Sequence, residues 1–321
     1  MKRLAVLTSG GDAPGMNAAI RAVVRSAAAR GVAVEGVMNG FAGLAAGECQ
    51  PLDDRAVGGI LQRGGTILGT RRFPSFCDVV VQEAVVERLR TANIEGLVVI
   101  GGNGSQQGAL ALHRLGFPVI GVASTIDNDL AGTEVTIGVD TALNTATTCI
   151  DRLKDTASSH HRAFIVEVMG RNSGYLALMS AVAAGVEMVV VPEFPTDAEA
   201  VAADVEATYA RGKAHYIAAV AEGAQLSARA LAAYLQEHPR GFEARLTVLG
   251  HLQRGGSPTV RDRLLASLLS VAAVEALLGG HSGEVIGWRH GEPAAIPMEV
   301  AVEPCCKVTP ELMELAAVLA R

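Results

Sequence analysis

Short apolar runs alternate with longer segments of helical periodicity along the chain. Uninterrupted apolar runs stand at Leu4–Leu7, Gly96–Ile100 and Val119–Val122, each followed by glycine or by small residues. The segment Asn17–Arg30, after the first run, carries apolar residues at helical spacing. Because strands that are buried on both faces are continuous apolar runs, the pattern predicts parallel strands covered by helices.

The same alternation predicts further elements in the rest of the chain. We expect strands at Val32–Val37, Ala163–Val168, Met188–Val191, His215–Ala221 and Thr247–Leu249, and helices over about Ser105–Leu115, Asp140–Thr156 and Asp197–Gly212. This order predicts an α/β fold with two doubly wound, mostly parallel sheets. The 321 residues suffice for about two domains. No linker or repeat separates them, and we expect the boundary near residue 138.

Composition indicates a well-packed protein without a nucleic-acid partner. Half of the residues are apolar and 19% are charged, so the chain can build a large core and is not expected to be disordered. The net charge is −6 and no basic block occurs, which excludes a general nucleic-acid-binding surface. A few placed arginines are still enough to bind an anionic small molecule.

The chain shows no sign of export or of membrane insertion. The five cysteines are odd in number and form no Cys-x-x-Cys pair, which favours a reducing compartment. No apolar stretch approaches the ~18 residues that a membrane helix needs, and the N-terminus enters a strand at once. We therefore expect a cytoplasmic protein with no membrane partner.

Two carboxylates directly follow a predicted strand, in the stretch Ala123–Asp129. Asp127 and Asp129 are two residues apart and come after the hydroxyls of Ser124 and Thr125. Ligands of open parallel sheets bind beyond the carboxyl ends of the strands, where such a pair can act as a metal ligand or a general base. The alternative is an Asx-rich turn that caps the next element. Position alone does not decide between them.

Two glycine-rich turns, Thr8–Gly15 and Gly101–Ser105, each join a predicted strand to a helix. Free N–H groups at a helix N-terminus bind anions, and glycine lets a phosphate approach the backbone. Neither turn is a P-loop, and no dinucleotide fingerprint stands out. Because the two turns occupy equivalent strand-to-helix junctions, we favour phosphate binding over simple turn formation.

Several arginines are candidates for binding an anionic ligand, since a guanidinium binds phosphate bidentately and stays charged. The candidates are Arg72, Arg162, Arg171, Arg245 and Arg254. A single arginine is usually a solvated surface charge. Arg162 and Arg171 flank one predicted buried strand and Arg254 stands in a glycine turn, so these three are expected to line a cleft.

Four longer motifs resemble those of the bacterial-type ATP-dependent 6-phosphofructokinase family, and the resemblance covers essentially the whole chain. The motifs are Leu7–Asn17, Thr125–Asp129, Val166–Arg171 and Gly250–Pro258. In that family the first is the nucleotide loop, the second is the catalytic signature and the other two bind sugar phosphate. The resemblance implies that ATP phosphorylates fructose 6-phosphate at its 1-hydroxyl, with Mg²⁺, in a homotetramer.

The resemblance also implies roles for particular residues. Asp127 would be the general base on the sugar hydroxyl, Asp129 would act at the metal, and Thr125 and Arg171 would complete the catalytic set. The sugar phosphate would contact Thr125, Asp127, Asp129, Met169, Gly170, Arg171, Glu222, His251 and Arg254, and also Arg162 and Arg245 of a neighbouring subunit. ATP would contact Gly11, Arg72, Phe73, Gly102, Asn103, Gly104 and Ser105.

By the same resemblance, residues 1–138 and about 252–302 form a nucleotide-binding domain, and residues 139–251 and about 303–321 form a sugar-phosphate-binding domain. Phosphoryl transfer depends mostly on positioning and on charge neutralisation, which cationic side chains and Mg²⁺ supply. The candidate residues are of the types that this chemistry needs.

The family binds an allosteric effector, ADP or phosphoenolpyruvate, between subunits. The positions that match its effector site are Arg21, Arg25, Lys154, Gly185, Glu187, Arg211 and Lys213. This chain departs from the family nearby, because Asp54 replaces an arginine and Gly59 replaces an aspartate. An aspartate that faces an anionic effector repels it, so we expect an altered or absent effector response.

The chain also departs from the family in its catalytic loops. A metal-binding aspartate of the second glycine loop is here Asn103, which keeps an oxygen but loses a charge worth up to about 4 kcal/mol at an effective dielectric of ~20. The Pro-Gly that precedes the catalytic signature is here Ala123–Ser124, which adds a side chain near the transferring phosphate. Gly104 is retained and favours ATP over pyrophosphate, since pyrophosphate-dependent relatives carry aspartate there.

Three functions therefore stand as hypotheses. The first is an ATP-dependent 6-phosphofructokinase of full or reduced activity. The second is a catalytically impaired paralogue with a binding or regulatory role, which Asn103 and Ser124 favour. The third is a different kinase with a similar glycine loop, such as a lipid or NAD kinase, in which the motifs around Arg171 and Arg254 would serve no purpose.

Overall fold

The computed structural model describes residues 1–320. Its strands are β1 (Arg3–Ser9), β2 (Ala33–Val37), β3 (Cys49–Leu52), β4 (Leu97–Gly101), β5 (Val119–Ala123), β6 (Arg162–Val168), β7 (Met188–Val190), β8 (Tyr216–Ala221), β9 (Glu243–Val248), β10 (Glu284–Arg289) and β11 (Glu292–Pro297). Its α-helices are α1 (Met16–Ala28), α2 (Gly40–Ala46), α3 (Val79–Thr91), α4 (Asn103–Arg114), α5 (Val139–His160), α6 (Tyr175–Ala184), α7 (Ala198–Ala210), α8 (Ala228–Glu237), α9 (Val260–Leu278), α10 (Met298–Ala301) and α11 (Pro310–Leu319). Short 3₁₀ helices cover Pro74–Cys77 and Gly250–Arg254.

The chain forms two compact units that are interleaved in sequence. The first unit contains Met1–Thr141 and Arg254–Cys305, and the second contains Ala142–Gln253 and the residues from Cys306 onward. Throughout residues 1–320, every helix is too short or too polar to cross a bilayer.

The first unit is built on a seven-stranded sheet of order β11-β10-β5-β4-β1-β2-β3. The five central strands are parallel, while the edge strands β3 and β11 run antiparallel to their neighbours. All residues of β4 and β5 are buried. This explains their uninterrupted apolar sequences, since helices cover both faces of such a sheet.

The second unit is built on a parallel four-stranded sheet of order β7-β8-β6-β9. Its core is made mostly of alanine, valine, isoleucine and leucine residues from β6, β8, α7 and α8, together with the buried aromatic residues Tyr216 and Phe242. The two sheets confirm the predicted α/β class with mostly parallel strands.

The structure corrects several predicted element bounds, most clearly that of the last strand in the second unit. The strand expected at Thr247–Leu249 is β9, which begins at Glu243 because it pairs with β6 along nearly its whole length. As an edge strand, β9 alternates exposed and buried residues near its start, so its sequence is not an uninterrupted apolar run. The sequence pattern also did not predict β3, β10 and β11.

A buried carboxylate, Asp262, fixes the polypeptide where α5 begins. It lies in the first turn of α9 and accepts hydrogen bonds from the backbone N–H groups of Gly138 and Thr141, both at 2.8 Å. The Thr141 hydroxyl donates to the same carboxylate. Burial raises the pKa of Asp262, and these hydrogen bonds partly oppose that rise.

Candidate active site

The carboxyl ends of β5, β4 and β1 bring three of the predicted loops together in the first unit. These strands are parallel neighbours, and Ser9, Gly101 and Ala123 lie in one row across them. The two glycine loops and the carboxylate-bearing stretch start directly after that row. Open α/β sheets bind their ligands in the crevice beyond such strand ends.

The first glycine loop adopts backbone conformations that favour glycine and leaves room for an arginine. Gly10 and Gly15 have φ angles of +85° and +111°. A Cβ atom at Gly11 would lie 2.4 Å from Nη1 of Arg254, and the same nitrogen donates a hydrogen bond to the Asp12 carbonyl at 2.9 Å. Because Gly11 has no side chain, the Arg254 guanidinium can lie beside this loop in a fixed orientation.

The second glycine loop leads into α4, which begins at Asn103. The first N–H groups of a helix have no intrahelical partner and suit an anion. A Cβ atom at Gly101 would lie 2.6 Å from Oγ of Ser105 and 2.7 Å from the Ser9 carbonyl oxygen, so the two glycine loops are in close contact. The buried Ser105 hydroxyl has no hydrogen-bond partner among residues 1–320.

Protein groups hold both ends of the Asn103 carboxamide. Its Nδ2 donates to the Val302 carbonyl at 3.2 Å, and its Oδ1 accepts a hydrogen bond from Nε2 of Gln107 at 2.7 Å. The side chain thus presents a neutral and already hydrogen-bonded oxygen where the resemblance expects a carboxylate.

The stretch that carries Asp127 and Asp129 is a tightly bonded turn at the end of β5. The Asp127 N–H donates to Oγ1 of Thr125 at 3.2 Å, and the Thr136 hydroxyl donates to the Thr125 carbonyl at 2.6 Å. Asn128 is fully buried and has a φ angle of +51°. The turn alternative and the ligand-site alternative are therefore compatible, because the turn leaves both aspartates half-buried on either side of Asn128.

The two residues that replace the family's Pro-Gly are accommodated in the interior. Ala123 is part of the hydrophobic core, and Ser124 is fully buried. The Ser124 N–H donates to the Gly101 carbonyl at 3.2 Å, while its hydroxyl has no hydrogen-bond partner in the described part of the chain. The added side chains are thus buried, away from the solvent-accessible surface of the loop.

Polar side chains of β1 and α1 position the segment that leads to Arg72 and Phe73. The Asn17 side chain donates to two carbonyls and accepts from one N–H within residues 63–67. The Thr8 hydroxyl donates to the carbonyl of Gly69 at 3.0 Å. Arg72 is exposed, whereas Phe73 is half-buried and packs on the core of the first unit.

Two of these positioning residues were not assigned from the sequence. Asn17 lies within a recognised motif, and Gln106 follows the second glycine loop. The Gln106 side chain is completely buried, and its Nε2 donates to carbonyls of Gly101, Val99 and Val122 at 3.0–3.3 Å. A glutamine directly after a glycine loop was the available signal, but only the sheet order reveals its partners.

The donor set at this crevice fits a magnesium ion that is bound together with phosphate. Mg²⁺ in nucleotide sites typically takes one or two protein carboxylates plus phosphate oxygens and water. On the turn, Asp129 supplies one carboxylate, and Asp127, the candidate general base, lies two residues away. Within residues 1–320, no group of three or more His, Cys, Asp or Glu side chains is arranged to hold a metal ion.

In the second unit, the expected sugar-phosphate residues gather at the carboxyl end of the sheet. Met169, Gly170 and Arg171 directly follow β6, and Glu222 follows the adjacent β8. The Glu222 N–H donates to the last carbonyl of β6 at 2.8 Å. His251 comes shortly after β9, and it is exposed like Arg171 and Glu222.

Arg162 and Arg245 do not belong to that cluster. Arg162 begins β6, Arg245 lies near the start of β9, and Glu243 is bonded to both. Nε of Arg162 donates to Glu243 at 2.9 Å, and this bond holds the pKa of the Glu243 carboxyl below its usual value, together with the charge of Arg245. Because β6 is seven residues long, roughly 20 Å of strand separates Arg162 from the residues after β6, and Arg245 pairs with Phe164, two residues further along the strand.

Residues from the expected effector set lie close together in the second unit. Lys213 contacts Glu187 at 3.1 Å, and Glu187 also accepts from a backbone N–H at 2.8 Å. Lys154 donates to the carbonyl next to Gly185. Glu187 and Arg211 line a cavity of about 290 Å³.

Arg21 and Arg25, the other two expected effector residues, lie on α1 in the first unit. Nε of Arg25 is 3.9 Å from Oδ1 of Asp54. The residue that replaces a family arginine therefore pairs with one of the expected effector arginines. Both side chains are exposed, so this ion pair contributes little to folding stability.

Parallel sheets with glycine loops, carboxylates and arginines at their carboxyl ends define an α/β protein built to bind phosphate groups. The phosphofructokinase family model matches residues 3–277. The chain is 54% identical to ATP-dependent 6-phosphofructokinase 1 of Thermus thermophilus over 322 residues, all of both chains, and 53% identical to ATP-dependent 6-phosphofructokinase of Lysinibacillus sphaericus over 303 residues, 94% of each. The chain belongs to the phosphofructokinase family.

The fold agrees with this membership. The crystal structure of Pichia pastoris phosphofructokinase in the T-state superposes with a TM-score of 0.89 at 35% identity. The superposition covers 94% of this chain and 35% of the Pichia chain, so this chain spans about a third of that longer relative.

Proposed function

We propose that the protein transfers the γ-phosphoryl group of ATP to the 1-hydroxyl of fructose 6-phosphate, giving fructose 1,6-bisphosphate and ADP in cytoplasmic glycolysis. The full-length relatives at 54% and 53% identity are ATP-dependent 6-phosphofructokinases. The observation that carries the proposal is the adjacency of β5, β4 and β1, which sets the Asp127 turn beside two phosphate-compatible glycine loops.

The two units divide the substrates between them in this proposal. The first unit binds ATP through Gly11, Gly102, Asn103, Gly104 and Ser105, with Arg72 and Phe73 on the adjoining segment. The N–H groups at the start of α4 and the buried Ser105 hydroxyl suit phosphate oxygens. The second unit binds the sugar phosphate through the residues that follow β6, β8 and β9.

Asp127 acts as the general base in this mechanism. It accepts the proton of the sugar 1-hydroxyl as the oxygen attacks the γ-phosphorus, and ADP leaves. The Thr125 hydroxyl, bonded to the Asp127 N–H, fixes the turn that positions the carboxylate. Arg171 stabilises negative charge on the transferring group, which is the main contribution that a protein makes to phosphoryl transfer.

Asp129 would hold a Mg²⁺ cofactor through its carboxylate, and with ATP bound this ion would neutralise charge on the phosphates. Asn103 contributes at most a neutral oxygen, because Oδ1 already accepts a hydrogen bond from Gln107. This weaker donor set is the feature that favours the alternative of an impaired paralogue with a binding or regulatory role.

The working form is a homotetramer in which Arg162 and Arg245 serve the sugar-phosphate site of a neighbouring subunit. The length of β6 supports this division, because it places Arg162 at the opposite end of the strand from Arg171. A second support is an apolar stripe on α9, where Val260, Leu264 and Leu268 recur every fourth residue and are 72%, 59% and 46% exposed. A stripe of this kind on one helix face suits burial between subunits.

The effector site is altered. The residues expected to bind the effector are Arg21, Arg25, Lys154, Gly185, Glu187, Arg211 and Lys213. The Asp54 carboxylate of the same chain already forms an ion pair with Arg25. An anionic effector must displace this pair and meets extra negative charge, so its affinity falls.

A coupled assay tests the proposed reaction. Aldolase and a dehydrogenase report fructose 1,6-bisphosphate as NADH consumption, with either ATP or pyrophosphate as donor. The proposal expects product with ATP and Mg²⁺ and little with pyrophosphate. Product formed only with pyrophosphate, or none with either donor, contradicts it.

A further inference from the structure

A cavity of about 340 Å³ in the first unit is lined by residues of β1, β2 and β3, of α2 and its C-cap, and of the end of α3. Its floor is apolar, because Leu44, Leu89 and Ile94 line it and are all nearly fully buried. Cavities of ~300–1,000 Å³ with an apolar lining and a few polar groups are typical of small-molecule sites.

Two arginines and one glutamate converge at this cavity. Nη1 of Arg3 donates to the Ala92 carbonyl at 3.2 Å, and Nη1 of Arg88 donates to the Ala46 carbonyl at 3.1 Å. A guanidinium has five N–H donors, so each side chain is oriented by one bond and keeps others for a ligand. Glu35, 3.9 Å from Arg3, offsets one of the two positive charges.

The backbone leaves room for one of these cations. Gly47 ends α2 with a φ angle of +77°, and a Cβ atom there would lie 2.6 Å from Nη1 of Arg88. The guanidinium thus fits against a position without a side chain. Held in advance by a backbone carbonyl, it loses little freedom when it binds an anion.

The cavity is distinct from the nucleotide loops. Arg3 begins β1, and the first glycine loop starts after Ser9 at the other end of the same seven-residue strand. That length of strand places Arg3 roughly 20 Å from the loop, and none of the residues that line the cavity belongs to either glycine loop. The cavity also shares no residue with the sugar-phosphate or effector sets, and its interpretation does not rest on the proposed function.

We propose that this cavity binds a small organic monocarboxylate with a hydrocarbon chain. The hydrocarbon packs on Leu44, Leu89 and Ile94, and the carboxylate accepts hydrogen bonds from Arg3 and Arg88. One negative charge balances the surplus of one positive charge. A carboxylate matches the planar donor geometry of a guanidinium.

Cys49 provides a reporter at the same place. Its side chain lines the cavity and carries a free, accessible thiol. A bound ligand shields this thiol, so alkylation by iodoacetamide slows. Burial raises the pKa of the Cys49 thiol, and nearby Glu35 adds to the rise, so the reaction is best followed at mildly alkaline pH. Cys77 is exposed, does not line the cavity and serves as an internal reference.

The test uses hexanoate as the probe and follows alkylation of the intact protein by peptide-resolved mass spectrometry. We expect hexanoate to slow Cys49 alkylation saturably, at least about threefold, without changing Cys77. The R88Q variant should raise the apparent dissociation constant about tenfold or more, since it removes a charged hydrogen bond. R90Q is the matched control, because Arg90 is exposed on the same helix outside the cavity.

The outcomes distinguish binding of a carboxylate with a hydrocarbon chain from binding of any apolar molecule or of any anion. Protection by hexanol as strong as by hexanoate would show an apolar cavity without anion recognition and would overturn the proposal, as would equal protection by inorganic phosphate. No protection by hexanoate, or the same protection in R88Q as in R90Q, also overturns it. R3Q provides a second variant, and it too should weaken hexanoate binding while circular dichroism shows an unchanged fold.

Discussion

Gln107 Nε2 donates a hydrogen bond to Asn103 Oδ1 at 2.7 Å, one turn along α4. Asn103 itself donates to the Val302 carbonyl. The residue that replaces a family aspartate is thus integrated into the start of the helix and is oriented by its own neighbours. The proposed nucleotide site therefore differs from that of the family by a neutral oxygen that already accepts a hydrogen bond.

The N103D variant should bind Mg²⁺ better and turn over faster. A carboxylate at position 103 adds a charge beside the cation and is repelled by the Val302 carbonyl. The gain is bounded by about 4 kcal/mol, and each 1.4 kcal/mol is a factor of ten, so we expect an increase of about tenfold or more in kcat/KM for MgATP. Steady-state kinetics over a series of Mg²⁺ concentrations measure it.

N93D is the matched control for this prediction. Asn93 is exposed and precedes β4, at the opposite end of the strand from Asn103, so the added charge there should change nothing. Equal kinetics of wild type and N103D would show that the carboxamide suffices at the metal. Activity in N103D alone, with an inactive wild type, would favour the paralogue with a binding role.

The E243Q variant should bind fructose 6-phosphate more tightly. Within one chain the Glu243 carboxylate forms ion pairs with both Arg162 and Arg245. These two arginines are proposed to bind the sugar phosphate of a neighbouring subunit. Because the hydrogen bond from Arg162 lowers the pKa of Glu243, the carboxylate stays ionised and keeps competing at neutral pH. We expect KM for fructose 6-phosphate to fall several-fold with little change in kcat.

E237Q on the surface of α8 is the control for that experiment, since Glu237 is exposed and contacts neither arginine. An unchanged KM in E243Q would mean that the pairing does not compete with substrate. A raised KM would mean instead that Glu243 orients the arginines for binding.

The L264E variant should dissociate the proposed tetramer. A buried charge at the centre of the α9 stripe is costly without a partner, so sedimentation velocity should show smaller species. Activity should fall together with the tetramer, because Arg162 and Arg245 would lose their neighbour. V80E places the same charge on an exposed apolar residue of a different helix, Val80 on α3, which is 70% accessible, and should remain tetrameric. A tetrameric L264E would exclude this face as a subunit interface.

The D262N variant should lose about 1–3 kcal/mol of unfolding free energy at neutral pH, since one of the buried N–H groups of Gly138 and Thr141 loses its acceptor. Urea unfolding followed by circular dichroism measures the loss. D151N on the exposed side of α5 should differ from wild type by less than about 0.5 kcal/mol. If D262N also loses less than about 0.5 kcal/mol of unfolding free energy, Asp262 does not fix the start of the helix.

The stability difference between wild type and D262N should depend on pH. Burial raises the pKa of Asp262 above its unfolded value of about 3.9. A carboxyl of this kind contributes stability below the unfolded pKa and loses it as the pH rises through the folded pKa. The asparagine of D262N does not titrate. The difference in unfolding free energy between wild type and D262N should therefore become smaller as the pH rises above about 4. A difference that widens with pH would contradict the assigned direction.

The loops at the carboxyl ends of β1, β4 and β5 were predictable because of burial. Strands covered on both faces need apolar residues throughout, so the glycines and aspartates that follow them stand out in the sequence. The edge strands β3 and β10–β11 did not stand out. The turn between β10 and β11 places His290 and Gly291 at positive φ angles, and this pairing carries no Asn-Gly or Asp-Gly signal.

The positioning residues could not be predicted for a different reason. Asn17, Gln106 and Asp262 lie in helices, where a single polar residue usually faces solvent. Their partners are backbone groups up to 124 positions away in sequence, and only the folded sheet order brings them together. The pairing of Asp54 with Arg25 is likewise a long-range contact. The resemblance identified both positions but not their bond.

Production of ADP that depends on fructose 6-phosphate, measured on purified wild type and on D127N, tests the central claim most directly. Asp127 is proposed to take the proton of the sugar hydroxyl, and loss of a general base costs about 10²–10⁴-fold. We predict ATP-driven formation of fructose 1,6-bisphosphate by wild type and a loss of that size in a folded D127N variant. Wild type that releases no ADP with fructose 6-phosphate, or D127N that matches an active wild type, would contradict it.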